Sequence, residues 1–170
     1  DTQAEIFKTT PFMPSLGNLD RKIRPNGISM EEPGYDIEAT GYRKFFALPG
    51  KEWLWAFDIP DFDLRLISVD MSHTGDFGKP NQACHAFDKD SEQFKWFEET
   101  MNATKAGFVI TIYGETSGAV RRHAGGGWKR LIEKGSIGIS GECYHAERTV
   151  VDGFTYYNSS VRGNGTFGID

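Results

Sequence analysis

Two cysteine–histidine pairs are the side chains best suited to bind a soft metal ion. Cys84 directly precedes His85, and Cys143 lies two residues before His145. Thiolate and imidazole groups bind zinc and related ions, but these positions match neither a zinc-binding spacing nor a disulfide framework. Nothing in the sequence predicts that the two pairs meet. Two buried free thiols and a single bridge between Cys84 and Cys143 both stay open.

A second stretch has the composition of an anion-binding loop. Arg121, Arg122 and His123 are followed by three consecutive glycines at 125–127. Successive backbone N–H groups in a flexible loop can form a concave anion site, to which the basic side chains would add positive charge. A solvated basic loop without a ligand is the simpler interpretation, and the sequence favours it.

The elements that must position these side chains alternate between strands and helices. Strands are predicted at 53–57, 61–71, 108–113, 137–140 and 154–157, the last after a turn at 152–153. A long loop is predicted over 72–90, and helices over 91–104 and 128–134. Asp90 or Ser91 can cap the first helix, whose Phe94, Phe97 and Met101 share one face. The order predicts an α/β fold with a mixed, partly parallel sheet and flanking helices.

Length and composition narrow the protein class. The 170 residues suit a single domain over 1–170, and the Pro- and Gly-rich stretch 1–52 is predicted to be irregular. The net charge of −5 disfavours nucleic acid as a partner, and no apolar run approaches the roughly 20 residues of a membrane span. The chain begins at Asp1, so we expect a processed chain or a fragment, with an extracellular or particle-associated location favoured.

The predicted core consists of apolar residues on the strands and helices. Its members are Leu64, Leu66, Val69, Phe94, Phe97, Val109, Ile110, Ile112, Leu131 and Ile139.

Five motifs occur in the order that one enzyme family shows. Residues 11–20 resemble a Gly-Asn-His-Asp motif with its leading strand, and residues 45–70 resemble a run of Phe-x-x-Pro, Tyr-Ser-Phe and Leu-Asp. Residues 93–97 resemble Gln-x-x-Trp-Leu, and residues 113–115 lie where the family has Gly-His. Residues 140–149 align without a gap to Ser-Gly-His-x-His-x-x-Glu-Arg-Thr. The chain thus resembles the C-terminal part of a calcineurin-like metallophosphoesterase domain of the purple-acid-phosphatase branch. The resemblance implies an incomplete calcineurin-like phosphoesterase sandwich.

That family hydrolyses phosphate esters with two metal ions, which hold the phosphate and activate a hydroxide while a His assists the leaving group. The positions equivalent to its ligands here are Asn18, Glu115, Glu142 and Tyr144, of which only Asn18 keeps the family's residue. Leu19 replaces the catalytic His. The family's upstream Asp-x-His and Gly-Asp motifs are missing from the residues before Asn18. The resemblance therefore implies no catalysis, no metal and no other cofactor.

Each of these positions also has an alternative interpretation. Glutamate binds hard divalent ions, so a rebuilt oxygen-ligand site at Glu115, Glu142 and Tyr144 stands beside a polar remnant satisfied by water or arginines. Asn18 can bind a metal, or it can shape a turn together with Asp20, the remnant of the catalytic His's partner.

The resemblance draws attention to two further sets of residues. Asp70, His73 and Asp76 are similar to the missing upstream motifs and could be a displaced ligand set, although they follow the wrong strand with the wrong spacing. Glu147 and Arg148 match a family pair, and we expect them to form a structural ion pair that fixes the loop after the last ligand positions.

We therefore expect a metallophosphoesterase-fold protein that has lost catalysis and has a structural, assembly or binding role. The alternative is an active phosphomonoesterase similar to acid phosphatases, whose two-metal site for divalent ions is completed by an upstream segment or a separate chain. The family's domain has central strands upstream of residue 10, and unpaired strands invite pairing. We therefore also expect a partner chain or subunit that completes the sheet, and an oligomer.

Overall fold

A computed structural model describes residue 5, residues 8–23 and residues 29–159, and contains a six-stranded mixed sheet with flanking helices. The strands are β1 (Trp55–Ile59), β2 (Leu64–Ser68), β3 (Phe108–Tyr113), β4 (Ile137–Ser140), β5 (Ala146–Val151) and β6 (Phe154–Ser159). Their order is β1-β2-β3-β4-β6-β5. The four inner strands run parallel, and each outer strand is antiparallel to its neighbour. The predicted α/β fold with a mixed sheet is confirmed.

The helices are α1 (Thr40–Phe45), α2 (Glu92–Ala103), α3 (Ser117–Val120) and α4 (His123–Ile132). Helix α2 agrees with its prediction, and the Ser91 hydroxyl accepts a hydrogen bond from the Phe94 N–H at 3.3 Å, as an N-cap does. Single 3-10 turns span Leu19–Arg21, Pro60–Phe62 and Thr74–Asp76. No helix among the described residues is long and apolar enough to cross a membrane.

Helix α4 has a kinked start, so its regular part begins close to the predicted Trp128. Ala124, Gly125 and Gly126 have positive φ angles of 52°, 60° and 78°. Gly127 then packs against the Phe94 ring, so closely that a Cβ atom there would lie 2.8 Å from a ring carbon. The three glycines, for which the sequence favours a solvated loop, thus bring α4 against α2.

Two predictions about the strands are wrong. The predicted leading strand at 11–17 is not formed: these residues are irregular, since Pro11 and Pro14 have no N–H to donate, and the Pro14 carbonyl instead accepts from the Tyr42 hydroxyl at 2.7 Å. Strand β5 was not predicted, because charged residues and exposure give it no apolar run. It pairs with β6 through the predicted turn at 152–153, whose residues have φ of 51° and 85°.

The buried core lies on the face of the sheet that α2 and α4 cover. Val109, Tyr113 and Tyr156 point to this face and are at most 4% exposed. Between the helices, Phe97 stacks on Trp128 with ring centroids 5.2 Å apart, and both side chains are fully buried. Contacts between aromatic rings thus join the two helices to each other above the sheet.

Half of the predicted core is confirmed. Val69, Phe94, Phe97, Val109 and Leu131 are buried. The other five, which are Leu64, Leu66, Ile110, Ile112 and Ile139, are only partly buried. These five share the opposite face of the sheet, as the strand register shows. Burial on both faces was predicted, whereas the helices of this chain cover one.

Candidate functional site

The candidate site lies at the edge of the sheet where the parallel strands end. Thr74 follows β2, Glu115 follows β3 and Glu142 follows β4, and the carboxyl ends of parallel strands meet at one edge. Burial raises the pKa of Glu142, and the Glu115 charge adds to that shift. The structure thus brings together two of the sequence-predicted positions.

Both carboxylate oxygens of Glu115 already accept hydrogen bonds from the protein. One oxygen accepts from the Thr74 N–H at 2.9 Å and from the Thr74 hydroxyl at 2.8 Å, and the other accepts from the Thr116 N–H at 2.7 Å. Burial by itself would raise the pKa of Glu115, but these donors outweigh it and hold the pKa below its usual value. Glu115 therefore ties the loop after β2 to the loop after β3.

His123 extends this network. Its Nε2 atom lies 3.0 Å from the Thr74 hydroxyl oxygen, and its ring packs on Phe87 at 4.4 Å. Because the Thr74 hydroxyl donates its hydrogen to Glu115, it accepts one from the His123 ring. Burial lowers the pKa of His123, which favours the neutral imidazole. His123 is thus hydrogen-bonded within the protein, whereas the sequence favours a solvated position for it.

Glu142 and Tyr144 are less constrained. The Glu142 carboxylate lies 4.0 Å from His73 Nε2, and burial, more than any neighbouring charge, raises its pKa. Tyr144 is 53% exposed and has φ of 52°. His73 also lies 3.8 Å from Asp76. The predicted displaced ligand set does not converge, because Asp70 is buried and bonded elsewhere.

The N-terminal motif residues form a turn. The Asp20 carboxylate accepts from the Gly17 N–H at 2.8 Å, and Asn18 stands at the N-cap of the 3-10 turn Leu19–Arg21. Leu19, in the position of the family's catalytic His, is 66% exposed. This geometry agrees with the turn-forming interpretation of Asp20, whereas the Asn18 side chain makes no capping hydrogen bond.

A buried ion pair between Arg21 and Asp70 was not predicted from the sequence. The Arg21 guanidinium donates to both Asp70 carboxylate oxygens, at 2.7 and 2.6 Å, to the Ala83 carbonyl at 2.7 Å and to the Ile37 carbonyl at 2.9 Å. Neither side chain is exposed. Arg21 and Asp70 are 49 residues apart, and no local pattern signals such a pair.

His85 completes this buried group. Its N–H and its Nδ1 atom lie 2.8 and 2.6 Å from the same Asp70 oxygen, and its ring stacks on Trp53 at 3.9 Å. Its Nε2 atom faces Glu38 at 3.6 Å. A carboxylate-oriented imidazole can transfer protons. Here Arg21 shares the carboxylate, and the group joins the N-terminal segment to the end of β2.

The cysteines are both free, with Cys84 buried and Cys143 exposed. Burial raises the pKa of the Cys84 thiol to about 12, so it is an unreactive core group. A bridge between them is therefore not formed, and the expectation of two buried thiols is right for Cys84 alone.

Glu147 is held by other groups than Arg148. Its carboxylate accepts from the Thr149 hydroxyl at 2.6 Å and lies 3.2 Å from His145 Nε2. Consecutive residues of a strand point to opposite faces, which separates the Glu147 and Arg148 side chains on β5. The expected ion pair between them is replaced by these contacts.

A two-metal centre does not fit the residues at the family-equivalent positions. Glu115 has its oxygens engaged by three donors that come from Thr74 and Thr116. Within residues 8–23 and 29–159, no group of three or more His, Cys, Asp or Glu side chains could hold a metal ion.

Comparison with known proteins finds no match: no protein-family model matches the sequence, and no curated protein matches it at a significant level.

Proposed function

We propose that this chain is a non-catalytic protein with a calcineurin-like metallophosphoesterase fold, and that it acts in assembly by packing one face of its sheet on another polypeptide. The observation that carries the proposal is an apolar sheet face that no layer of described residues covers over most of its area. We call it the open face and define it as the partly or largely exposed apolar residues that the strand register puts there, which are Phe57, Ile59, Leu64, Leu66, Phe108, Ile110, Ile112, Ile137, Ile139 and Tyr157.

The open face contrasts with the helix-covered face on the same strands. Along β3, Val109 and Thr111 point to the helices and are 4% and 1% exposed. Their neighbour Phe108 points to the open face and is 42% exposed, and Ile110 beside them is partly exposed. Phe57 and Tyr157, near the two margins, are each 37% exposed. Exposure thus extends across the sheet from β1 to β6.

Parallel strands normally have both faces covered, and a large exposed apolar patch usually marks an interface. Among the described residues, cover on this face lies near the end of β2, where the Ser15 hydroxyl is 2.8 Å from the Ser68 hydroxyl and Trp55 beside Ser68 is buried. A second sheet packs on such a face at about 10 Å, which completes a sandwich. The occupant we propose is therefore a polypeptide with an apolar sheet surface of its own.

The candidate site supports the non-catalytic part of the proposal. Glu115 ties two loops together through three hydrogen bonds, which use three of the about four acceptor sites of its carboxylate. The exposed Leu19 has no group that can transfer a proton. A catalytic His would contribute about 10²–10⁴-fold to the rate.

Charged substitutions on the open face test the proposal. Ile110→Asp and Phe108→Asp should each abolish self-association or partner binding in sedimentation velocity, because an aspartate would be buried unpaired at the interface. Met30→Asp is the matched control, since Met30 is 92% exposed and lies outside the open face. Phe108→Asp replaces an already exposed side chain, so its folding should be preserved. Association that survives both open-face variants, each shown to be folded, would reject the proposed interface.

A further inference from the structure

A polar cleft lies beside the candidate site, on the helix-covered face of the sheet. Its volume is about 210 Å³, and its lining includes Ser117, Arg121, Ser140, His145, Glu147 and Tyr156. Helix α3 forms one wall, and the strands β4, β6 and β5 form the floor. Its lining contains none of Asn18, Glu115, Glu142 and Tyr144, and it shares only Tyr157 with the open face.

Arg121 has unused hydrogen-bonding capacity in this cleft. Its Nε–H donates to the Ser117 carbonyl at 3.1 Å, and its guanidinium lies over the Tyr156 ring at 5.3 Å from the centroid. Its terminal nitrogens make no hydrogen bond with the described part of the chain. A guanidinium held in this way presents a preformed planar donor to an oxyanion.

The floor of the cleft contains a second group without a partner. The Ser140 side chain is 1% exposed, and its hydroxyl oxygen has no hydrogen-bond partner among the residues the structure describes. A buried hydroxyl without a partner costs free energy. A ligand oxygen at the floor of the cleft would supply the missing hydrogen bond.

Two further ionisable groups line the cleft. His145 lies with Nδ1 2.8 Å from the Cys143 carbonyl and Nε2 3.2 Å from the Glu147 carboxylate. The contact with the Cys143 carbonyl and that with Glu147 raise the pKa of His145. Glu147 is thus paired within the cleft, and its other oxygen accepts from Thr149. Arg121 is the remaining charged group of the cleft lining.

We infer that this cleft binds a small oxyanion, a phosphate or carboxylate group, with Arg121 as the main ligand-binding residue and Ser140 as a hydrogen-bonding partner at the floor. A water molecule occupies about 30 Å³ in the liquid, so the cleft has room for a group of the size of phosphate or acetate. The inference is independent of the proposed assembly role, because Ser140 and Tyr156, over which Arg121 lies, are on the face opposite the open face, and Tyr157 is the one lining residue that both share.

Calorimetric titration of the full chain with inorganic phosphate tests the inference, with acetate and glucose as parallel ligands. We expect saturable binding of at least one oxyanion and none of glucose. Arg121→Gln should weaken oxyanion binding at least tenfold, Arg121→Lys should weaken it less, and Ser140→Ala should weaken it several-fold. Arg130→Gln is the matched control and should bind as the wild type does, since Arg130 is exposed on α4 outside the cleft lining.

Hydrogen exchange with and without phosphate locates the ligand. Protection of residues 116–121 and 140–147 on binding is the expected result. The inference would be overturned if neither oxyanion bound saturably or if glucose bound equally well. It would also be overturned if both Arg121 variants kept the wild-type affinity, or if protection were confined to other segments. None of these outcomes bears on association through the open face, so the two proposals fail separately.

Discussion

Arg21 and Asp70 form a bidentate ion pair that is fully shielded from solvent and joins the N-terminal segment to the end of β2. Removing one partner of such a pair leaves a buried charge uncompensated, which typically costs about 3–5 kcal/mol. We predict that Arg21→Met lowers the free energy of unfolding by about that amount in urea denaturation.

The control for this prediction is a second bidentate pair on the surface. Arg65 donates to Asp58 at 2.6 and 2.7 Å, but the Asp58 side chain is 53% exposed. Arg65→Met should cost about 1 kcal/mol or less. Equal losses in the two variants would mean that burial of the Arg21–Asp70 pair has no special weight in stability.

Much of the fold could be predicted from local patterns, because they are set by residues close in sequence. The α2 helix has its cap and its apolar face within twelve residues, and β3 is one continuous apolar run. The Arg21–Asp70 pair could not be predicted, because its partners are brought together by the fold alone. The exposure of one face of β3 could not be predicted either, since the sequence pattern of Phe108–Tyr113 is the same whether its second face is covered or not.

The candidate site was predictable in place but not in chemistry. The positions of Glu115 and Glu142 after β3 and β4 follow from the strand order. The hydrogen bonds that Glu115 accepts from Thr74 depend on the path of the 72–90 loop. The sequence of that loop has no periodic pattern from which its path could be predicted. His123 entered the same network through the kink of α4, which three residues with positive φ produce.

Glu115 should make stability depend on acid pH. Its pKa in the folded protein is below the ordinary value of 4.5, so its contribution is fully present above pH 4.5 and is lost as the pH falls through the folded pKa. Glu115→Gln keeps the shape but loses the charge, and should cost about 1–3 kcal/mol at pH 7.

Denaturation curves of the wild type and Glu115→Gln between pH 7 and pH 3 check this dependence. The difference in unfolding free energy should shrink below pH 4.5. Glu99→Gln, at an exposed position of α2, should show no such trend. A constant difference down to pH 3 would argue against a charged, hydrogen-bonded Glu115.

Phe97 should be among the most sensitive core positions. Its side chain is fully buried and stacks on Trp128. Phe97→Ala should lower the unfolding free energy by about 3–5 kcal/mol, while Phe62→Ala, at a residue that is 76% exposed, should change it by about 0.5 kcal/mol or less. An unmoved denaturation midpoint in Phe97→Ala would refute the orientation of α2.

Hydrolysis of a generic phosphomonoester should be negligible, with or without added manganese. The reason is the exposed Leu19 in place of a proton-transferring residue, together with the engaged oxygens of Glu115. The measurement is release of phosphate by the wild type and by Glu142→Ala. Metal-dependent turnover that disappears in Glu142→Ala would favour an active phosphomonoesterase.

Light scattering of the purified full chain at micromolar concentration tests the central proposal most directly. We predict a folded species whose mass exceeds the 19.1 kDa of one chain, either as an oligomer or in a complex with a co-purifying polypeptide. The open face would then be covered in solution. A well-folded monomer of 19.1 kDa, without a partner and without any tendency to associate as its concentration rises, would contradict the assembly role.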